Sequence, residues 1–154
     1  MHKTQLASMV WKPNVTVAAV VENTGRFLLV EERVANNLVL NQPAGHLEPG
    51  ESLVDAIRRE VLEETAYAFV PSAVTGIYRW HHAGSDTTYL RVCFTGQLGA
   101  RDETRALDPD IERVLWLSPE QIRERATRSP LVERCLQDYL SGARYALALL
   151  TDLS

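Results

Sequence analysis

Several glutamates lie close together in the run from Gly45 to Tyr67, in the first half of the chain. Glu60, Glu63 and Glu64 are spaced i, i+3 and i+4, which stacks their carboxylates on neighbouring turns of one helical face. Like charges at that spacing repel one another unless a cation lies among them. Together with Glu51 just upstream, the spacing predicts a site for a divalent metal ion.

The sequence around these acids predicts a loop followed by a helix. Prolines and glycines shape a loop over residues 43–50, and Ser52 is a good N-cap for a helix that runs to about Thr65. Glu60 and Glu64 fall on the flank of its apolar stripe, so we expect them to be partly sheltered. The stripe consists of Val54, Ile57 and Val61. A solvated acidic helix is the alternative interpretation of the same residues.

The rest of the chain must supply the scaffold for this helix. Strands are expected over residues 14–21, 26–32, 38–42, 74–82, 87–98 and 111–117, and further helices are expected to begin at Ser118 and Ser129. The segment 99–109 is charged and irregular. Hairpin-linked strands with one helix in the middle and two late in the chain predict an α/β or α+β sandwich, with a mixed β-sheet between helical layers.

Composition limits the class of protein. The 154 residues are 45% hydrophobic and 23% charged, which is typical of one globular domain. We expect that domain over residues 9–154 and interpret residues 1–8 as either a leader or a frayed tail. The net charge of −4 argues against nucleic acid or a membrane surface as a partner.

Two cysteines, Cys93 and Cys135, are far apart and have apolar neighbours. Buried free thiols are favoured over a disulfide, and they fit a reducing cytoplasm. No apolar run is long enough for a membrane helix, and no signal-peptide pattern is present. We therefore expect a cytoplasmic protein without a membrane partner.

The acidic run resembles the Nudix box, whose pattern is G-x5-E-x7-R-E-U-x-E-E-x-G-U, with U a bulky apolar residue. The matching residues are Gly45, Glu51, Arg59, Glu60, Val61, Glu63, Glu64 and Tyr67. Ala66 stands where the family has glycine. A glycine there would end the helix in a left-handed conformation, so alanine costs about 1 kcal/mol unless the turn relaxes. No metal-ligand atom is lost by this change.

The resemblance implies an α/β/α sandwich of the Nudix type and metal-dependent hydrolysis of phosphoanhydrides. It implies that Mg²⁺ or Mn²⁺ is held by Glu60, Glu63, Glu64 and Gly45, with Arg59 in the catalytic set. We expect Glu60 and Glu64 to be ligands, Glu63 to be a ligand or the general base, and Glu51 to pair with Arg59. Hard divalent ions suit this chemistry because they bind oxygen ligands and neutralise phosphate charge.

The resemblance narrows to the NudJ phosphatase group of the family. It is carried by KPNVTVAAVV from Lys12, NQPAGHLE from Asn41, RSPLV from Arg128 and SGARY from Ser141. This group releases orthophosphate from nucleoside di- and triphosphates and from hydroxymethylpyrimidine diphosphate, a thiamine precursor. We therefore expect a small phosphorylated substrate; release of orthophosphate or of pyrophosphate both remain open, as do a monomer and a homodimer.

Other side chains are candidates for holding the substrate. Aromatic residues near the second long hairpin could stack on a ring, although packing or exposure accounts for each alone: Tyr78, Trp80, His81, His82 and Tyr89. Arginines could grip phosphate oxygens, although each could equally serve the surface: Arg26, Arg79, Arg91 and Arg128. A further acid could reach the metal from just before or within the strand over 111–117: Asp108, Asp110 or Glu112.

Two hypotheses follow from these observations. The first is a Nudix hydrolase acting on nucleotide-like diphosphates and triphosphates. The alternative is a Nudix-fold module that binds or senses a nucleotide without turnover, which the intact acidic positions disfavour. Ser-His-Asp catalysis receives little weight, since His81 and His82 have no evident nucleophile beside them.

Overall fold

The structure is a computed structural model that describes residues 10–154, over which nine strands and three α-helices are distributed. The strands are β1 (Asn14–Ala19), β2 (Glu22–Asn23), β3 (Arg26–Val34), β4 (Asn37–Asn41), β5 (Ala44–His46), β6 (Tyr67–His82), β7 (Thr87–Arg101), β8 (Ile111–Leu117) and β9 (Tyr145–Ala146). The helices are α1 (Leu53–Thr65), α2 (Pro119–Arg123) and α3 (Pro130–Leu140), followed by a short 3₁₀ helix, Leu147–Leu149. The leader or tail expected over residues 1–8 lies outside the described part of the chain.

The strands form two sheets. One has the order β5-β1-β7-β6-β9 and is mixed, because β1 runs parallel to β7 while the other neighbours are antiparallel. The other is antiparallel, with β3 between β4 and β8 and with β2 paired to the start of β3. In the first sheet, β5 places Gly45 directly opposite Val17 of β1.

Alternating residues of the central strands divide the core between two faces. Val17 and Ala19 of β1 pack into a cluster with Ile57 of α1, whereas Ala18 and Val20 pack into a second cluster. That second cluster includes Ile122 of α2 and the α3 residues Cys135 and Leu136. Because side chains alternate across a strand, helices cover both faces, and the predicted sandwich of α and β layers is confirmed.

Strand pairing explains two of the differences between the predicted and observed elements. A strand is predicted over residues 74–82, but β6 begins at Tyr67 and continues through Pro71. The proline is tolerated because the β6–β7 register shifts between Pro71 and Ala73, so no regular ladder bond is lost there. The loop expected over residues 43–50 contains β5, whose only sheet partner in the described chain is the distant β1.

The two cysteines are free and buried, as expected. No helix in the described residues is long and apolar enough to cross a membrane.

Candidate active site

Helix α1 is fixed at both ends by local interactions. The Ser52 hydroxyl accepts a hydrogen bond from the Asp55 amide at 3.0 Å, as an N-cap does. At the other end Ala66 adopts a left-handed conformation with φ of 65°, and its amide donates to the Leu62 carbonyl at 2.9 Å. The turn therefore keeps the glycine-type geometry and does not relax around alanine. The acids between these caps are held on a helix with defined ends.

Arg59 ties the loop before α1 to the acids on the helix. Its Nη2 and Nε donate to the two carboxylate oxygens of Glu51, at 2.7 and 3.0 Å. Its Nη1 donates to Glu60 at 2.7 Å and to Glu63 at 3.2 Å. The forked bond from Arg59 lowers the pKa of Glu51 and raises that of Arg59 itself, so both stay charged. Arg59 thereby orients three carboxylates at once.

Three carboxylates converge beside this arginine. One oxygen each from Glu60, Glu63 and Asp108 lies within 4.8 Å of the others. Asp108 is brought there because its amide donates to the Glu63 carbonyl at 3.1 Å, which ties the segment before β8 to the end of α1. Gly45 is needed on the opposite side, since a Cβ at that position would overlap the Glu60 carboxylate.

Glu64 and Glu60 are the two buried acids of the helix, each 7% exposed. The Glu64 Oε1 accepts a hydrogen bond from the Ala44 amide at 2.8 Å. Burial raises the pKa of Glu64 to about 9 and that of Glu60 to about 7, the latter against the opposing effect of Arg59. Two buried acids with raised pKa values next to a third carboxylate would be stabilised in their charged forms by a cation.

A pocket of about 180 Å³ opens next to the acids, and Gly45 forms part of its wall as well as touching Glu60. Part of its lining is aromatic: the Trp80 ring stacks on Tyr89 at 5.6 Å between centroids and on His82 at 5.0 Å. Another part is polar, with lining residues that include Thr16, Glu32, Asn41, Arg91 and Arg128. The cluster and the pocket thus share the β5 strand as a common wall.

Comparison with known proteins places this arrangement in a family. The model for the NUDIX domain matches residues 12–136. The chain belongs to the Nudix hydrolase family. It is 41% identical to the phosphatase NudJ of Escherichia coli K12 over 145 residues, which cover 94% of each chain. A NUDIX hydrolase of known structure from Nitrosomonas europaea is 51% identical, has a TM-score of 0.90 and is matched over 92% of this chain and 98% of its own.

A more distant structure shares the Nudix fold alone. The NUDIX domain of Shewanella oneidensis NrtR, solved with ADP ribose, has a TM-score of 0.67 at 16% identity and is matched over 91% of this chain and 99% of its own. The two proteins therefore share the layered fold although few of their residues are identical.

The Nudix box residues named from the sequence come together as one group in the structure. Glu51, Arg59, Glu60 and Glu63 are joined by hydrogen bonds, and Glu64 lies against the loop that carries Gly45. The acid that completes the group near β8 is Asp108. The other two candidates differ from it: Asp110 is exposed, and Glu112 is half-exposed and pairs with Arg33 at 2.8 Å.

The predicted substrate-binding residues separate into two groups. Five of them line the pocket beside the acids: Trp80, His82, Tyr89, Arg91 and Arg128. The others do not: Arg26 is exposed in the β2–β3 hairpin, and the Tyr78 hydroxyl donates to Asp138 at 2.6 Å between β6 and α3. Arg79 is exposed, and His81 pairs with Asp86 at 2.9 Å outside the pocket.

Sequence reasoning missed Glu32 and Asn41, which belong to the polar part of the pocket lining. The Asn41 side-chain amide donates to Glu32 at 3.3 Å, and Arg128 lies 3.4 Å from the other Glu32 oxygen. One signal was present: the pair Glu31-Glu32 follows an apolar run in β3, and adjacent strand residues point to opposite faces. Glu31 accordingly pairs with Arg113 and Arg125, and Glu32 faces the pocket.

Proposed function

We propose that this Nudix hydrolase cleaves a phosphoanhydride bond in a small nucleotide-like diphosphate or triphosphate and releases orthophosphate, with Mg²⁺ or Mn²⁺ as cofactor. The observation that carries the proposal is the convergence of Glu60, Glu63 and Asp108 within 4.8 Å, next to a pocket with stacked aromatic walls. The likeness to the phosphatase NudJ supports the choice of orthophosphate. Hydroxymethylpyrimidine diphosphate belongs to the same substrate proposal.

The chemistry of the donor set fits such an ion. All the converging side-chain atoms are carboxylate oxygens, the ligands that Mg²⁺ and Mn²⁺ prefer. Glu60, Glu63 and Asp108 would hold the ion, Glu64 and the backbone of Gly45 would complete the set, and the raised pKa values of Glu60 and Glu64 would be reversed by its charge. When bound, the ion supplies charge neutralisation for the phosphate oxygens and makes bound water more acidic.

The protein's own groups bind the substrate, orient it and accept a proton. Trp80 and Tyr89 hold an aromatic ring of the substrate, which leaves the diphosphate directed along β5 towards Glu60. Arg128, with a side chain that is 45% exposed, supplies positive charge at the mouth of the pocket. Glu63 accepts a proton from the attacking water as the water oxygen bonds to phosphorus. The bond from phosphorus to the bridging oxygen breaks, and the bridging oxygen leaves with the other product. Arg59 keeps the Glu63 carboxylate oriented for that step.

The direct test is a phosphate-release assay with cytidine diphosphate and triphosphate, read separately for orthophosphate and pyrophosphate. We expect orthophosphate to appear only with Mg²⁺ or Mn²⁺ present, to stop with a chelator, and to fall to background when Glu60 and Glu63 are both changed to glutamine. Calorimetry on the same samples shows whether a protein that releases no phosphate still binds the diphosphate. Tight binding of an intact diphosphate in Mg²⁺ without phosphate release would favour the sensor and contradict the proposed hydrolysis.

A further inference from the structure

One of the charged residues that line the pocket is an acid: Glu32 lies there together with the cations Arg91 and Arg128. Glu32 lines this pocket, and its side chain is 14% exposed. Glu32 is not one of the three acids that converge to hold a metal ion, so it repels phosphate oxygens and is not placed to bind the diphosphate. What a carboxylate does attract is a hydrogen-bond donor, and it accepts several such bonds.

A network of side chains holds Glu32 in position without using up its oxygens. Buried Arg91 donates to the oxygen of the Asn41 side chain at 3.4 Å and to the side-chain oxygen of Gln42 at 3.1 Å. This orients the Asn41 amide so that its nitrogen donates to Glu32 at 3.3 Å, the one side-chain hydrogen bond that Glu32 receives within residues 10–154. Arg128 approaches the other Glu32 oxygen at 3.4 Å from a half-exposed position. Each oxygen of Glu32 therefore has room for another donor.

The aromatic part of the pocket lining indicates what carries that donor. Trp80, Tyr89 and His82 form a stack of planar rings that faces a space of about 180 Å³. A cavity of about 150 Å³ holds benzene in another protein, so this space suits one six-membered ring. A planar ring packed against this stack in so small a pocket lies within reach of the polar lining residues, Glu32 among them.

We propose that Glu32 is a specificity-determining residue that accepts a hydrogen bond from an exocyclic amino group on the substrate's six-membered ring, so that amino-bearing rings are preferred to oxo-bearing ones. The inference rests on the proposed function for its substrate class. Replacing the amino group by an oxo group sets a lone pair against the carboxylate, so the hydrogen bond at that position is lost. The two terminal nitrogens of Arg91 already donate to Gln42 and Asn41, and its Nε is buried, so Arg91 offers the oxo group little compensation.

Cytidine and uridine monophosphates provide a matched pair of ligands, since they differ at this edge of the ring and have no phosphoanhydride to cleave. We expect calorimetry to show that cytidine monophosphate binds the wild type about tenfold more tightly than uridine monophosphate. In Glu32→Gln the preference should disappear or invert, because a glutamine amide donates to the oxo group. Glu133→Gln, which changes an exposed acid of α3 paired with Arg123, should leave the preference intact.

Two results would overturn the inference. One is equal affinity of the wild type for the two ligands. The other is an equal loss for both ligands in Glu32→Gln, which would mean that Glu32 acts on the acid cluster or on folding and does not read the ring. Both are distinct from failure of the proposed function, because a protein that binds the two monophosphates unequally but releases no orthophosphate from cytidine diphosphate would contradict hydrolysis alone.

Discussion

The acid cluster of Glu60, Glu63 and Asp108 lies beside the pocket lined by Trp80 and Tyr89, the ring pocket, but the chain builds the two in opposite ways. The acid cluster comes almost entirely from one loop and one helix, with Arg59 bonded to Glu51, Glu60 and Glu63 across eight positions or fewer. The ring pocket draws on β1, β3, β4, β5, β6, β7 and the segment before α3. On the proposed function, the residues of the reaction are thus concentrated in a contiguous stretch, while the residues that would select a substrate are scattered along the chain and can change one at a time.

The largest effect on kcat is expected from a substitution in the acid cluster. Glu63→Gln should lower kcat for orthophosphate release by about 10³-fold for every substrate alike, because it removes a charged ligand or base without changing the pocket. A steady-state assay on several diphosphates measures this. Glu103→Gln, at an exposed position outside the cluster, is the control and should turn over normally. A loss of kcat confined to one substrate would contradict this division of roles between the acid cluster and the ring pocket.

The acid cluster should also reduce stability at high pH when no metal is bound. The pKa of Glu64 is raised by burial from an ordinary value of 4.5 to about 9, so the folded state holds a proton that the unfolded chain releases. For the chelated protein, the free energy of unfolding should therefore fall as pH rises through this window, by up to about 1.4 kcal/mol per pH unit. Urea denaturation between pH 6 and 8 measures the slope.

Glu64→Gln should reduce that slope, since glutamine keeps an oxygen for the Ala44 amide but does not ionise. Glu103→Gln should keep the wild-type slope. If Glu64→Gln and the wild type lose stability with pH in parallel, burial of Glu64 is not the cause.

A smaller and selective effect is expected in the ring pocket. Trp80→Ala should raise KM for cytidine diphosphate about tenfold with little change in kcat, because stacking holds the ring equally in the ground and transition states. Trp80→Phe keeps a ring to stack on and should recover most of the loss. A fall in kcat with unchanged KM would place Trp80 in the reaction itself.

The smallest effect concerns the one departure from the family pattern. Ala66→Gly should stabilise the protein by less than about 1 kcal/mol, because glycine relieves the left-handed backbone at φ of 65° but loses a buried methyl group. The Tm of thermal unfolding should rise by no more than about 2–4 °C. Activity should not change, and a large gain in kcat would mean that the helix end controls the acids.

The local features of the acid cluster were predictable from the sequence because short-range rules govern them. Ser52 caps α1 as expected, and the helix ends at Thr65. Burial of Glu60 and Glu64 followed from their place beside the apolar stripe. The left-handed conformation of Ala66 was one of two outcomes that the sequence allowed, the other being a relaxed turn.

The ring pocket could be predicted only in part because it depends on pairing between distant strands. Trp80 and Tyr89 meet because β6 and β7 pair with those residues opposite each other, which the hairpin suggested. Glu32 and Asn41 meet through the register of β3 with β4, which sets Val30 against Asn41 and turns Glu32 towards the pocket. The β6 bulges near Pro71 also rest on cross-strand geometry that one segment does not reveal.

The most direct test of the separation between reaction and selection compares a substrate that has a ring with one that has none. The quantity to measure is the ratio of kcat/KM for cytidine diphosphate to that for methyl diphosphate, in the wild type, Glu63→Gln and Trp80→Ala. We expect Glu63→Gln to lower both values and leave the ratio unchanged, and Trp80→Ala to lower the ratio about tenfold through cytidine diphosphate alone. A changed ratio in Glu63→Gln, or an equal loss on both substrates in Trp80→Ala, would contradict the account.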